Sequence, residues 1–240
     1  MFAKIRLIKK FVLDLIFPEF CAGCQKEGGV LCGKCLEELR RSFLYPKCFS
    51  CGMKVPAGKR TTAGRTCGQC RKNTSIYAFF SSFPYSNPTV KNLIRKLKYG
   101  RVNKIAVMLG DELSDYFLKM SLKIPADSVI VPIPLHKNRL RERGFNQSEA
   151  IAKSLSEKLK IPVLAALKKI KITPDQTELS GAERRQNLKG VFSVINPERI
   201  KSKNIILVDD VKTTGSTLEE AARTLKKTGA KRIFALTIAS

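Results

Sequence analysis

Residues 205–218, IILVDDVKTTGSTL, constrain this chain more than any other stretch. Ile205, Ile206, Leu207 and Val208 make a short, continuous, largely β-branched run, the pattern of a strand buried on both faces in a parallel sheet. Asp209 and Asp210 follow at its carboxyl end, the edge at which open parallel sheets bind ligands. Two adjacent carboxylates repel each other, so sugar hydroxyls, Mg2+ or basic groups must compensate them. Thr213, Thr214, Gly215, Ser216 and Thr217 then offer hydroxyls and closely spaced backbone N–H groups. A helix is predicted from Leu218, and its positive end favours an anion. The segment reads as a sugar-phosphate site. A Walker-type loop is ruled out, because its Gly-Lys-Ser/Thr ending is missing and an acidic pair precedes the cradle.

This segment resembles the phosphoribosyl-pyrophosphate (PRPP) loop of type I phosphoribosyltransferases. The resemblance implies that Asp209 and Asp210 hold the ribose 2′- and 3′-hydroxyls with Mg2+. It also implies that Thr213, Thr214, Gly215, Ser216 and Thr217 hold the 5′-phosphate.

Eight cysteines, confined to residues 21–70, fall as four CxxC pairs: Cys21/Cys24, Cys32/Cys35, Cys48/Cys51 and Cys67/Cys70. Two residues between thiolates let a tight knuckle present both sulfurs to one ion, and two pairs complete the tetrahedral shell of structural zinc. Eight ligands make two closed Zn2+ sites that hold the fold without performing chemistry. The pairs are separated by 7, 12 and 15 residues, which permits consecutive or cross-braced pairing. The compact, glycine-containing first spacer favours the consecutive arrangement. Disulfides need an oxidising compartment, and no export signal is present, so a reduced cytoplasmic protein is expected.

The 240 residues suffice for one medium α/β domain plus a small module. Lys and Arg total 45 against 20 acidic residues, a formal charge of +25 that implies attraction to polyanions, nucleic acid included. A generally solvated basic surface is the plainer alternative. Residues 2–17 place Ile5, Ile8, Val12, Leu15 and Ile16 at helical spacing. The amphipathic helix this predicts is too short in its apolar run to span a bilayer, and it can dock on its own protein, a partner or the inner membrane face.

Residues 76–85 predict an aromatic strand, followed by basic helices near 88–99 and 103–123. Lys91, Lys96, Lys98 and Arg101 gather around Tyr99, as a candidate nucleic-acid contact. Residues 128–134, SVIVPIP, give a second buried strand. After it Lys137, Arg139, Arg141 and Arg143 lie in a predicted loop that closes on Asn146, a helix N-cap with Glu149 three residues on. By the phosphoribosyltransferase resemblance, Ile133, Pro134, Leu135 and His136, with Arg143, match the pyrophosphate loop. His136, the single histidine, is a candidate general base, with a structural or phosphate-contacting role as the alternative. A long polar segment containing Gln176, Arg184, Arg185 and Asn187 reads as a mobile arm able to close over the site.

The four CxxC pairs, LKYG at 97–100, VPIPLH at 131–136, RERGFNQS at 141–148, the 176–187 arm and VDDVKTTGST at 208–217 together resemble the ComF family of competence proteins. The resemblance covers essentially the whole chain. It implies a zinc-ribbon-type module over residues 1–75 joined to a phosphoribosyltransferase-like α/β domain over 76–240, with a parallel sheet flanked by helices. It further implies PRPP and single-stranded DNA as partners, contact with other DNA-uptake machinery at the inner face of the membrane, and a role in natural transformation. No acceptor for a transfer reaction is identified. A nucleobase-salvage phosphoribosyltransferase and a non-catalytic nucleotide or single-strand binder are the alternatives.

Overall fold

The computed structural model describes residues 18–55, 63–100, 103–120, 122–171 and 188–240. Helix α1 (Gly33–Arg41) precedes strand β1 (Ala78–Phe83), and helices α2 (Pro88–Tyr99) and α3 (Asn103–Lys119) lead to β2 (Ser128–Pro132). Helices α4 (Lys137–Arg143) and α5 (Gln147–Leu159) follow. A short antiparallel pair, β3 (Leu167–Lys169) and β4 (Phe192–Val194), comes before β5 (Asn204–Val211), α6 (Ser216–Lys227) and β6 (Ile233–Ala239).

The central sheet has the order β1-β6-β5-β2, and its three pairings are all parallel. Period two explains its two-sided burial. Ile206 and Val208 of β5 face a layer containing Leu93, Leu109, Ile151 and Leu155 of α2, α3 and α5. Ile205 and Leu207 face the opposite layer, which contains Leu218 and Leu225 of α6 and Phe192 of β4. The predicted strands are present, as are the helices near 88–99 and 103–123, although α3 ends at Lys119. The aromatics of β1, Phe79, Phe80 and Phe83, are all buried core.

The cysteine-rich segment is built into both layers. Ala22 and Leu39 belong to the first core, and Phe49 belongs to the second. Backbone hydrogen bonds from Leu44 N to Ser82 O, Thr66 N to Tyr77 O and Phe79 N to Gly64 O stitch the segment to β1. At Gly64, φ is +66° and a Cβ would lie 2.4 Å from Phe79 O, so only glycine allows this approach. Arg40 at the end of α1 donates from Nε and Nη2 to both oxygens of the buried Glu112, at 2.8 and 2.7 Å, and from Nη2 to Asp115 at 2.9 Å. This bidentate pair fixes α1 on α3.

Candidate functional site

The cysteines converge as two tetrads, Cys21/Cys24/Cys32/Cys35 and Cys48/Cys51/Cys67/Cys70, with ligand atoms within 4.8 Å of one another. The pairing is consecutive. Both tetrads repeat one device, in which the first sulfur accepts a backbone N–H from the third cysteine: Cys32 N to Cys21 Sγ at 3.4 Å, and Cys67 N to Cys48 Sγ at 3.5 Å. Burial alone would raise the Cys21 and Cys48 thiols, but backbone N–H groups outweigh it and bring each down to about 6. Cys35 and Cys70 are pushed up to about 12, chiefly by hydrogen bonding with Cys32 and Cys67, and also by burial. Four sulfurs this close cannot all ionise without a cation, and a thiophilic tetrahedral ion such as zinc fits the donor set.

Asp209 and Asp210 lie at the carboxyl end of β5, an inner strand between β6 and β2. Ser148 at the start of α5 donates its hydroxyl to Asp209 Oδ1 at 2.9 Å, and the Asp210 N–H donates to the same oxygen at 2.9 Å. Lys98, near the end of α2, pairs with Asp210 at 3.2 Å. Burial pulls the Lys98 ammonium down, but Asp210 and then Asp209 outweigh it and the net shift is upward. For Asp209, burial and the neighbouring Asp210 push the carboxyl up to about 7, against the opposing pull of Ser148 and Lys98. Lys169 of β3 also feels Asp209, although its burial lowers its ammonium on balance and Arg139 adds to that.

The loop that follows is open at Thr213 and Thr214 and buried at Gly215 and Ser216. Gly215 has φ +80° and forms the N-terminal boundary of α6, which starts at Ser216, two residues earlier than predicted. The Thr214 and Ser216 hydroxyls lie 3.0 Å apart, and Ser216 N donates to Thr214 Oγ1 at 3.4 Å. Thr217 sits in the first turn of the helix. An anion placed here would meet two exposed hydroxyls and the positive end of a twelve-residue helix.

The segment from Ile133 to His136 leaves β2 directly beside β5, and Ile133 N extends the ladder to Val208 O at 2.9 Å. The basic stretch expected as a loop is instead the helix α4. His136 caps its start, its Nδ1 accepting Asn138 N–H at 3.3 Å, and Gly144, with φ +80°, ends it. A capping residue at one end and a left-handed glycine at the other let a highly charged heptapeptide close two turns. Asn146 caps α5 through Ser148 N and ties Ile133 O to its Nδ2 at 3.0 Å, so one side chain links the loop to the acidic pair's partner. Glu149 pairs with Lys153 at 2.7 Å. Arg143 lies over the exposed Tyr99 ring, 5.8 Å from its centroid. The arm residues Gln176, Arg184, Arg185 and Asn187, the 2–17 helix and Arg101 lie outside the described residues. The β3/β4 pair brackets the arm.

Sequence reasoning missed Ser148 and Lys169 and misassigned Lys98. It grouped Lys98 with Lys91 and Lys96 as a nucleic-acid face, yet Lys98 serves Asp210, Lys96 donates to Phe20 O and Lys91 lies over Tyr85. The repulsion between Asp209 and Asp210 was the available signal that a cation would be found, but it did not say which one.

Residues 12–76 match the double zinc ribbon domain, and residues 146–240 match the phosphoribosyl transferase domain. The sheet extends beyond the second match, since β1 and β2 precede it and pair with β6 and β5. Competence protein F of Haemophilus influenzae is 31% identical over 209 residues, which cover 85% of this chain and 87% of that protein. DNA utilization protein YhgH of Escherichia coli is 31% identical over 189 residues, 78% of this chain and 80% of that protein. Competence protein ComFC of Bacillus subtilis is 28% identical over 204 residues, 76% of this chain and 78% of that protein.

Proposed function

This chain belongs to the competence protein F (ComF) family, and we propose that it acts in DNA uptake during natural transformation, binding PRPP with Mg2+ at the carboxyl edge of its sheet and handling incoming single-stranded DNA in the cytoplasm. The observation that carries the reading is the placement of Asp209 and Asp210 at the end of an inner parallel strand, with Val211 and Lys212 leading to the Thr213–Gly215 loop and the start of α6. Asp209 and Asp210 supply the hard oxygen donors and ribose acceptors, and the loop with the α6 N-terminus receives the 5′-phosphate. Arg143 and the 133–136 segment receive the pyrophosphate. Magnesium, when bound, would neutralise charge on the departing pyrophosphate. The protein's own part is to hold the ribose so that a nitrogen nucleophile reaches C1 as pyrophosphate leaves. The acceptor is unassigned.

The formal charge of +25 supports the single-strand role. Among the described residues no helix is long and apolar enough to cross a membrane.

Calorimetry of PRPP with Mg2+ on zinc-loaded protein, beside the Asp209→Asn/Asp210→Asn variant, tests the site. Binding by the parent and its loss in the variant are expected. Equal affinity in both would remove the assignment, and no binding by the parent would leave a repurposed fold. In parallel, single-strand affinity should fall steeply with salt.

A further inference from the structure

We propose that the second four-cysteine site positions the sugar-phosphate loop, with Phe49 as the side chain that transmits its geometry. This rests on the reading of residues 213–217 as the 5′-phosphate cradle. Phe49 stands inside the CxxC knuckle between Cys48 and Cys51, so the ion bound by those sulfurs fixes its backbone on both sides. Its ring is 6% exposed and reaches out of the zinc module into the sheet's second core layer, with Phe79, Val131 and Leu218. It meets Phe79 edge-on at 5.5 Å between centroids.

The ring also forms the floor of the loop. A Cβ at Gly215 would lie 2.7 Å from Phe49 Cζ and 3.2 Å from Cε2, so the loop backbone rests directly on the aromatic edge. Lys212, the residue before the cradle, lies over the same two rings, with Nζ 5.1 Å from the Phe49 centroid and 5.4 Å from that of Phe79. A second contact runs in parallel. Just after Cys70, Thr74 Oγ1 and Ser75 N both donate to the Glu219 carboxylate in the first turn of α6, the latter at 2.8 Å. The helix whose N-terminus would face the phosphate is therefore gripped by the same module. A cavity of about 260 Å³ between Phe49, Ser50, Thr214, Gly215, Ser216 and Arg223 marks the seam.

An N–H cradle binds an anion only if its donors are already convergent, because reorganising them costs affinity. Gly215 holds a left-handed conformation that free chains populate only in part. The Phe49 ring below and the Glu219 anchor beside it select that conformation. Phe49 is thus a positioning residue that acts through Gly215, and the metal at Cys48/Cys51/Cys67/Cys70 is what keeps it in place.

The test uses the zinc-loaded full chain and three variants: Phe49→Ala, Phe49→Leu, and Leu225→Ala as a control in the same core layer at the far end of α6. Amide hydrogen exchange at residues 212–217 is read without ligand, and calorimetry is run with ribose 5-phosphate and with inorganic pyrophosphate. Phe49→Ala should retain two zinc ions and exchange about tenfold or more faster at 212–217. It should bind ribose 5-phosphate about tenfold more weakly, with pyrophosphate affinity nearly unchanged. Phe49→Leu should fall between it and the parent. Leu225→Ala should lower global stability without selective acceleration of the loop. Parent-like loop exchange in both Phe49 variants, or the same acceleration in Leu225→Ala, would overturn the proposal. If the parent binds no ribose 5-phosphate, the PRPP reading fails while the exchange experiment still decides the role of Phe49. If Phe49→Ala does not fold, Phe49→Leu against Leu225→Ala decides it.

Discussion

The two four-cysteine sites share one ligand set and one knuckle geometry, yet they brace different halves of the sheet edge. The first lies against α2. Ala22 O accepts from Asn92 Nδ2 at 3.0 Å, Phe20 O accepts from Lys96, and a Cβ at Gly23 would lie 3.3 Å from Thr89 Oγ1. That helix delivers Lys98 to Asp210. The second site lies under the 213–217 segment and beside the start of α6. Identical metal chemistry thus serves two mechanical ends, because what a closed zinc site does is set by the elements that its knuckles touch.

Cutting the sites one at a time breaks the comparison most sharply. Cys48→Ser/Cys51→Ser and Cys21→Ser/Cys24→Ser should each reduce bound zinc from two to one per chain, by metal analysis. Only the first pair should loosen residues 212–217 and weaken ribose 5-phosphate binding, by roughly 100-fold. The second pair should chiefly loosen α2 and lower the thermal midpoint. Equal effects on the loop would mean that the module acts as one block.

A smaller effect arises at the acidic pair, to which α2 contributes its lysine. The Asp209 carboxyl titrates near 7 in the folded protein, against about 4 in an unfolded chain. The folded state therefore holds the extra proton between these values, and stability falls as pH rises from about 4 through about 7. Asp209→Asn should remove that slope. It should match the parent below about pH 4 and be more stable than the parent at pH 8, as read by urea unfolding across the range. A parent-like pH profile in the variant would show that Lys98 and Ser148 already neutralise the penalty.

The finest probe compares single hydrogen bonds. Asn92→Ala, which frees Ala22 O from α2, and Thr74→Val, which removes one of the two donors to Glu219, should each cost about 1 kcal/mol in thermal unfolding. Local exchange should then rise at α2 in the first variant and at the start of α6 in the second.

Much of this was legible along the chain. CxxC spacing is a local signal, and it announced eight metal ligands in two sites; the spacers left consecutive and cross-braced pairing both open, with the compact first spacer favouring the consecutive arrangement that the structure shows. The apolar run from Ile205 to Val208 before two aspartates announced an inner parallel strand with a ligand edge. The stretch from Lys137 to Arg143 looked like a loop because its charges hide the helical pattern, whereas its caps, His136 and Gly144, emerge only with the backbone in view. Ser148 was legible as a residue behind an N-cap, but not as the donor to Asp209, which is 61 residues away. Phe49 read as an ordinary residue inside a knuckle, and nothing near it in sequence points to Gly215.

The sequence alone determined which atoms can bind metal and where carboxylates and hydroxyls cluster, since those properties need only neighbours within a few residues. Tertiary structure alone decided that Lys98 answers Asp210, that one zinc site holds α2, and that the other lies beneath residues 213–217. Such pairings depend on how distant faces pack around a shared core, and many sequences with the same local patterns could pack them otherwise.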